Sequence, residues 1–257
     1  MIARETQNFH GIELEVLRGG AGHPILVLHG MHPLTPAAPF LTRLASLGAV
    51  TAPSFPGFGD SPKPKDFETV FDIVHLTRAI LDAAGGPVTL VGLSFGGWIA
   101  AEVAAQGHPN IGRLVLADPL GIKIGGPEDA DIFDIYNNSP ADTRAATFHD
   151  PERFGPDFDE MDDSDIIRYA RDRDALCLYS WNPYLYNPQL PRWLGRIAVP
   201  TLVCWGESDG IVTPDYGRAY AKLIQGARFA TIAGAGHCPE IERPDDLAAL
   251  IAAFVGG

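Results

Sequence analysis

Four short apolar runs constrain the fold of this chain more than anything else in it: ILVL at residues 25–28, VTLV at 88–91, LVLA at 114–117 and TLVCW at 201–205. Each is bounded by Gly, Pro or charge, and none alternates apolar with polar, so each reads as a strand buried on both faces. Helical patterns lie between them, clearest at residues 71–84 and 98–106. Strand alternating with helix predicts an α/β fold, a mostly parallel β-sheet flanked by helices. Ahead of the first buried run, IELEVL at residues 12–17 alternates apolar and acidic, the period of a strand with one wet face.

The rhythm breaks at about residue 121 and resumes near 196. It continues with TLVCW, a helix over 214–224, a strand over 228–232 and a last helix over 245–254. The expected organisation is therefore a core of residues 1–120 and 196–257 interrupted by a helical cap at 121–195. Charge divides along the same line. The 257 residues carry a formal −13, and residues 128–174 hold 15 Asp and Glu against five Arg and no Lys, a local −10. That run reads as the solvated outer face of the insertion, and its field disfavours anionic substrates at an entrance. The acidic balance also argues against nucleic acid and against an anionic membrane surface as partners, which leaves a small molecule. A monomer and a homodimer fit these features equally.

Three cysteines, Cys177, Cys204 and Cys238, make no disulfide framework and no CxxC pair, so no metal site is expected. The first residues contain no apolar signal segment, and no run of about 18 apolar residues occurs elsewhere. A cytoplasmic location is the expectation.

The chemistry concentrates where strands end. Gly92-Leu93-Ser94-Phe95-Gly96 directly follows VTLV and directly precedes a helical pattern. A strand-to-helix turn so sharp strains the middle residue and leaves no room for side chains on its flanks, which exposes Ser94 at a helix N-terminus as a nucleophile. A serine hydroxyl needs a base. His237, in the glycine-bounded loop GAGHCPE after the last strand, is the histidine expected at the same sheet edge. The base needs a carboxylate to orient it. Asp209, in WGESDGIV after TLVCW, gives the chain order Ser, acid, His; Asp118, after LVLA, is the alternative acid.

Backbone N–H groups of Met31, in the His29-Gly30-Met31-His32-Pro33 turn, and of Phe95 are candidates to hold a developing oxyanion. His29 reads as a brace for that turn, and His32 as a loop histidine with access to substrate. Tyr179, Trp181, Tyr184, Tyr186 and Trp193 fall within 15 residues at the end of the insertion. They either fasten the cap to the core or, for Trp181, Tyr184 and Tyr186 in particular, line an aromatic pocket. Cys238 reads as a packing residue.

These motifs together resemble the α/β-hydrolase fold superfamily, in its compact, cap-bearing bacterial form, over nearly the whole chain. The carrying segments are His29-Gly30, GFGDS at 57–61, GLSFGG at 92–97, WGESDGIVTP at 205–214 and GAGHCPEIERP at 234–244. The resemblance implies a cofactor-free serine hydrolase acting on a small, largely apolar carboxylic ester or thioester through an acyl-enzyme. GFGDS is implied to be a structural turn. Ser94 at the elbow is unlike the Asp nucleophile of haloalkane dehalogenases and most epoxide hydrolases. HGMHP lacks the Gly-Gly-Pro-Gly pattern of proline iminopeptidases, and GHCPE lacks the lysine of plant hydroxynitrile lyases. Carbon–carbon hydrolases of ring-cleavage products are the nearest competing resemblance, although His237-Cys238 stands where they usually carry His-Trp. Triad-bearing ligand receptors with little turnover form a third class.

Overall fold

The computed structural model describes residues 1–126 and 128–256. Pro127, within the expected cap, and Gly257, at the end of the expected core, lie outside the described residues. Eight strands form one sheet: β1 (Ala3–Phe9), β2 (Ile12–Gly19), β3 (Pro24–Leu28), β4 (Ala49–Pro53), β5 (Val88–Leu93), β6 (Ile111–Ala117), β7 (Thr201–Gly206) and β8 (Arg228–Ile232). Their spatial order is β1-β2-β4-β3-β5-β6-β7-β8. β1 and β2 pair antiparallel at one edge and β2 meets β4 antiparallel, while every remaining pair is parallel.

The helices of the core are α1 (Pro39–Ala45), α2 (Val70–Ala83) and α3 (Ser94–Ala105). Between β6 and β7 come α4 (Pro140–Thr147), α5 (Pro151–Phe154), α6 (Asp163–Ser180) and α7 (Leu190–Trp193), and after β7 come α8 (Pro214–Lys222), α9 (Pro239–Glu242) and α10 (Pro244–Gly256). The four apolar runs became β3, β5, β6 and β7. All six residues of β5 and of β7 are buried, as continuous apolar strands at the centre of a covered parallel sheet must be. Local chemistry sets the helix starts. Thr69 and Asp72 form a reciprocal capping box at α2, and Thr213 accepts from the Tyr216 N–H at α8, where Pro214 takes the first helical position.

Two packed layers flank the sheet. One face buries Leu26, Leu90, Leu114 and Val203 against α2, α3 and α8, and the other buries Val27, Val91, Val115 and Cys204 against α1 and α10. The chain leaves the sheet once at length: among the described residues from Asp118 to Pro200 there is no strand, only helices, turns and one isolated bridge between Gly121 and Tyr186. This excursion is tied back to the core at several backbone points. The Gly210 N–H donates to Ala146 O, the Phe133 N–H to Ile211 O and the His237 N–H to Thr147 O. Among the described residues no helix is long and apolar enough to cross a membrane.

Candidate active site

β5, β6, β7 and β8 run parallel, so their carboxyl ends open on one edge of the sheet, where residues of different strands converge on a crevice. Ser94 follows β5, Asp118 follows β6, Asp209 follows β7 and His237 follows β8. The turn at Ser94 has the strain its motif implies, with φ at +48° in the left-handed region. Its glycines are there for lack of space. A Cβ on Gly92 would lie 2.6 Å from Gly96 O, and one on Gly96 only 2.3 Å from Leu28 O.

Ser94 Oγ lies 2.7 Å from His237 Nε2, and His237 Nδ1 lies 2.8 Å from Asp209 Oδ2. With the ring proton on Nδ1, the serine hydroxyl donates to the imidazole and the imidazole donates to the carboxylate. All three residues are buried. Asp209 is fixed by two further donors, since its Oδ1 accepts the N–H groups of Ile211 and Val212 at 2.9 and 3.0 Å. Asp118, the alternative acid, makes no such contact with His237. Its Oδ1 accepts instead from the Gly206 N–H at 2.8 Å, because the left-handed backbone at φ +46° turns the carboxyl across to β7. Asp118, Asp209 and His237 do bring donor atoms within 4.8 Å of one another, close enough for a cation, but His237 Nδ1 is already engaged with Asp209.

The turn after β3 runs beside the serine: a Cβ on Gly30 would sit 3.2 Å from Ser94 Cβ. Met31 follows, and its N–H has no acceptor among the described residues. Phe95 is the second residue of α3, in the first turn, where N–H groups lack an intrahelical partner. His29 braces this turn. Its Nδ1–H donates to Gly30 O at 2.8 Å and its Nε2 accepts from the Phe55 N–H at 2.9 Å. Burial lowers its pKa to about 4, which keeps the ring neutral for that double role.

A cavity of about 280 Å³ opens on Ser94 and His237. Met31 and His32 line it from the core, and the excursion contributes Ile135, Tyr136, Phe148, Tyr169, Arg173 and Leu176 among others. His32 thus stands at the cavity, stacked on Tyr169 with ring centroids 4.4 Å apart and held by Asp172 through Nδ1 at 3.2 Å. Trp181, Tyr184 and Tyr186 do not line it, which corrects their reading as pocket residues. Trp181 is 58% exposed, and with Tyr186 it borders a separate cleft beside Trp98. The Tyr184 hydroxyl is spent on backbone, donating to Phe133 O and accepting from the Ile135 N–H. Tyr179 is a fastener, its hydroxyl donating to Pro56 O at 3.0 Å and its ring stacking on Phe58.

The sequence carried a signal for the true wall. Tyr169, Arg173 and Leu176 are spaced four and three apart, one stripe of α6. The cavity also departs from the acidity of the excursion. Asp157, Asp159, Glu160, Asp162, Asp163 and Asp165 are exposed, while Arg144 and Arg173 face the cavity with Glu240.

Glu242 is a further structural acid not evident from its motif. Its buried carboxylate accepts the N–H groups of Gly236 at 2.5 Å, His149 at 3.2 Å and Asp150 at 3.0 Å, binding the His237 loop to the excursion. Cys238, beside His237, has its thiol pushed up by burial and by the neighbouring carboxyls, unlike an activated thiolate.

A family model described as "Alpha/beta hydrolase family" matches residues 25–250. The chain belongs to that family. Among its hydrolase relatives, a 2-hydroxymuconate semialdehyde hydrolase of Pseudomonas sp. (strain CF600) is 29% identical, over 95% of this chain and 91% of its own. A pimeloyl-[acyl-carrier protein] methyl ester esterase of Neisseria meningitidis is 25% identical, over 84% of this chain and 87% of its own. The chain also spans 38% of the length of a bifunctional biotin-biosynthesis protein of Teredinibacter turnerae, at 28% identity over 78% of this chain. Among solved structures, a serine hydrolase involved in carbazole degradation superposes with a TM-score of 0.78 at 21% identity, covering 100% of this chain and 99% of the other. That superposition speaks for the α/β-hydrolase fold, and the elbow and strand-end loops described above lie within the matched span.

Proposed function

We propose that this α/β-hydrolase cleaves a small, largely apolar carboxylic ester through an acyl-enzyme, with Ser94 as nucleophile, His237 as base and Asp209 as its orienting acid. The observation that carries the reading is the continuous relay from Ser94 Oγ through His237 to Asp209, at 2.7 and 2.8 Å. As Ser94 Oγ attacks the ester carbonyl, His237 Nε2 takes its proton, and Asp209 stabilises the imidazolium. The tetrahedral oxyanion is held by the N–H groups of Met31 and Phe95, each donor contributing on the order of 3 kcal/mol to the transition state. The tetrahedral intermediate collapses as His237 returns the proton to the leaving alkoxide. Water, deprotonated by the same histidine, then releases the acid and regenerates the serine. The excursion serves as a cap whose α6 stripe closes the cavity over the acyl or aryl group.

The cavity, at about 280 Å³, lies at the small end of ligand pockets and favours short substrates. The test is steady-state hydrolysis of short- and long-chain p-nitrophenyl esters by the wild type and by Ser94→Ala. Turnover is expected to favour short acyl chains, and the variant should lose on the order of a million-fold in kcat. Equal, slow hydrolysis by both proteins would end the esterase reading.

A second reading has its own support. Arg173 lines the cavity and, among the described residues, forms no ion pair with a carboxylate, its Nη2 donating to Ile135 O at 2.7 Å and its guanidinium lying over the Tyr136 ring; Arg144, paired with Glu152, also lines the cavity. A guanidinium so placed suits a substrate acid, and a 2-hydroxymuconate semialdehyde hydrolase is among the relatives. Vinylogous diketone acids cleaved far faster than any ester would move the assignment to carbon–carbon bond hydrolysis.

A further inference from the structure

Asp118 stands behind the proposed triad at the end of β6 and is wholly shielded from solvent. Its two oxygens are treated unequally. Oδ1 accepts the Gly206 N–H at 2.8 Å, whereas Oδ2, equally buried, has no partner among the described residues. A buried carboxylate oxygen left bare is costly, and another acid stands close by: Asp118 and Asp209 bring oxygens within 4.8 Å of each other.

The groups facing Asp118 offer it no compensating cation. They are Asp209 from the loop after β7, Cys204 within β7, Glu240 from α9, and His237 and Cys238 from the loop after β8. No Lys or Arg among the described residues pairs with either aspartate. Two buried carboxyls this close do not both ionise, so one keeps a proton. The donors decide which. The Asp209 carboxylate receives three N–H groups, from Ile211, Val212 and His237, while the Asp118 carboxyl receives one, the backbone N–H of Gly206. The charge therefore settles on Asp209.

We propose that Asp118 carries a proton at neutral pH and donates it to Asp209, acting as a positioning residue that completes the ring of donors around the acid that orients His237. Burial, and then the charge of Asp209, hold the Asp118 carboxyl well above the usual carboxylate range. The inference rests on the reading of Ser94, His237 and Asp209 as a triad and deepens it. One negative charge behind the imidazole orients it and supports the imidazolium formed during turnover. Two would bind the proton so firmly that His237 could no longer accept one from Ser94 near neutral pH.

The test uses the free enzyme. In protein labelled with ¹³C-aspartate, one carboxyl resonance should remain in the protonated position at pH 7; if every aspartate ionises below pH 5, the inference fails. Asp118→Asn supplies the second arm, since its amide keeps a donor toward Asp209 and an acceptor for Gly206 without changing charge. The titration midpoint of His237, read by ring ¹⁵N shifts, is expected to move by less than about 0.3 unit in this variant. Removing a true negative charge at this range would lower the midpoint by more than about one unit, and that result overturns the proposal. Asp118→Ala, which loses the donor, should lower kcat about tenfold at unchanged KM. Neither spectroscopic arm needs turnover. Failure of Ser94-dependent hydrolysis would therefore sink the triad reading alone, and an unprotonated Asp118 would sink this inference alone.

Discussion

The sheet edge and the helical excursion above it meet at one cavity yet are built on different terms. At the sheet edge, position follows from topology. Four consecutive parallel strands end side by side, and each passes one functional or supporting residue to the same place, Ser94, Asp118, Asp209 and His237. These residues are buried, and each is held by at least one side-chain hydrogen bond, His237 by two and Asp209 by three. In the excursion no sheet dictates position. α6 puts Tyr169, Arg173 and Leu176 toward the cavity and Asp163, Asp165 and Asp174 toward water, while its buried Asp172, accepting from the Gly59 N–H, and its Tyr179, donating to Pro56 O, hold it to the core. Chemistry placed on the rigid part and recognition placed on the looser part can change independently.

If that division holds, the largest effect belongs to the sheet edge and leaves stability alone. Asp209→Asn preserves the shape of the loop but favours the wrong imidazole tautomer, and kcat should fall on the order of 10,000-fold. The urea midpoint should stay close to that of the wild type. A modest loss, with the larger one in Asp118→Asn, would transfer the orienting role to Asp118.

The seam between the two regions should answer to pH. Burial pushes the Glu240 carboxyl from 4.5 up to about 7, and Glu240 faces the cavity beside His237. The folded protein binds that proton more tightly than the unfolded chain does. Its contribution to stability is therefore complete below about pH 4.5 and is lost as the pH rises through about 7. Between those limits the wild type should lose up to about 3 kcal/mol that Glu240→Gln does not lose. Urea denaturation of both proteins at pH 5 and pH 8 measures the difference. Parallel behaviour would mean that Glu240 ionises in the ordinary range and that the seam is wetter than its burial implies.

The same division explains what could be read from the residues alone. β3, β5, β6 and β7 announce themselves because a strand buried on both faces must be apolar throughout, and the elbow because its glycines have no room for a Cβ. β1 escaped notice because it is an edge strand with ARETQNF mostly exposed, so no apolar period marks it. β4, AVTAP, has its short apolar stretch broken by Thr51 and ended by Pro53, and α1, at seven residues, is too short for a helical period to stand out. In the excursion the aromatic cluster ending at Trp193 is the most conspicuous feature, but Tyr179 and Tyr184 spend their hydroxyls on backbone, and Trp181 and Trp193 are exposed. The wall comes from the α6 stripe and from Tyr136 and Phe148, whose convergence depends on how the whole excursion folds back. The local charge of −10 was legible as a solvated face, and the acids at 157–165 are exposed, but composition records how many acids a segment has and not that Arg144 and Arg173 line the cavity beneath them.

The smallest effect is the converse of the first and tests the excursion's side of the division. Tyr179 sits on α6 one turn beyond the cavity stripe, with its ring on Phe58 and its hydroxyl on Pro56 O. Tyr179→Phe keeps the ring and removes one buried hydrogen bond, leaving Pro56 O without that donor. Stability should fall by about 1 kcal/mol, which for a chain of this size lowers Tm by about 2–4 °C. Because the lost contact lies between the excursion and the turn after β4, not at the sheet edge, kcat on a short ester should be unchanged. A KM raised at unchanged Tm would mean that Tyr179 acts on the substrate, and the boundary between fastening and recognition would have to be redrawn one helical turn further along α6. A fall in kcat would be the more damaging result, since it would couple a single tether on the excursion to the geometry of Ser94 and His237 and dissolve the independence of the two regions.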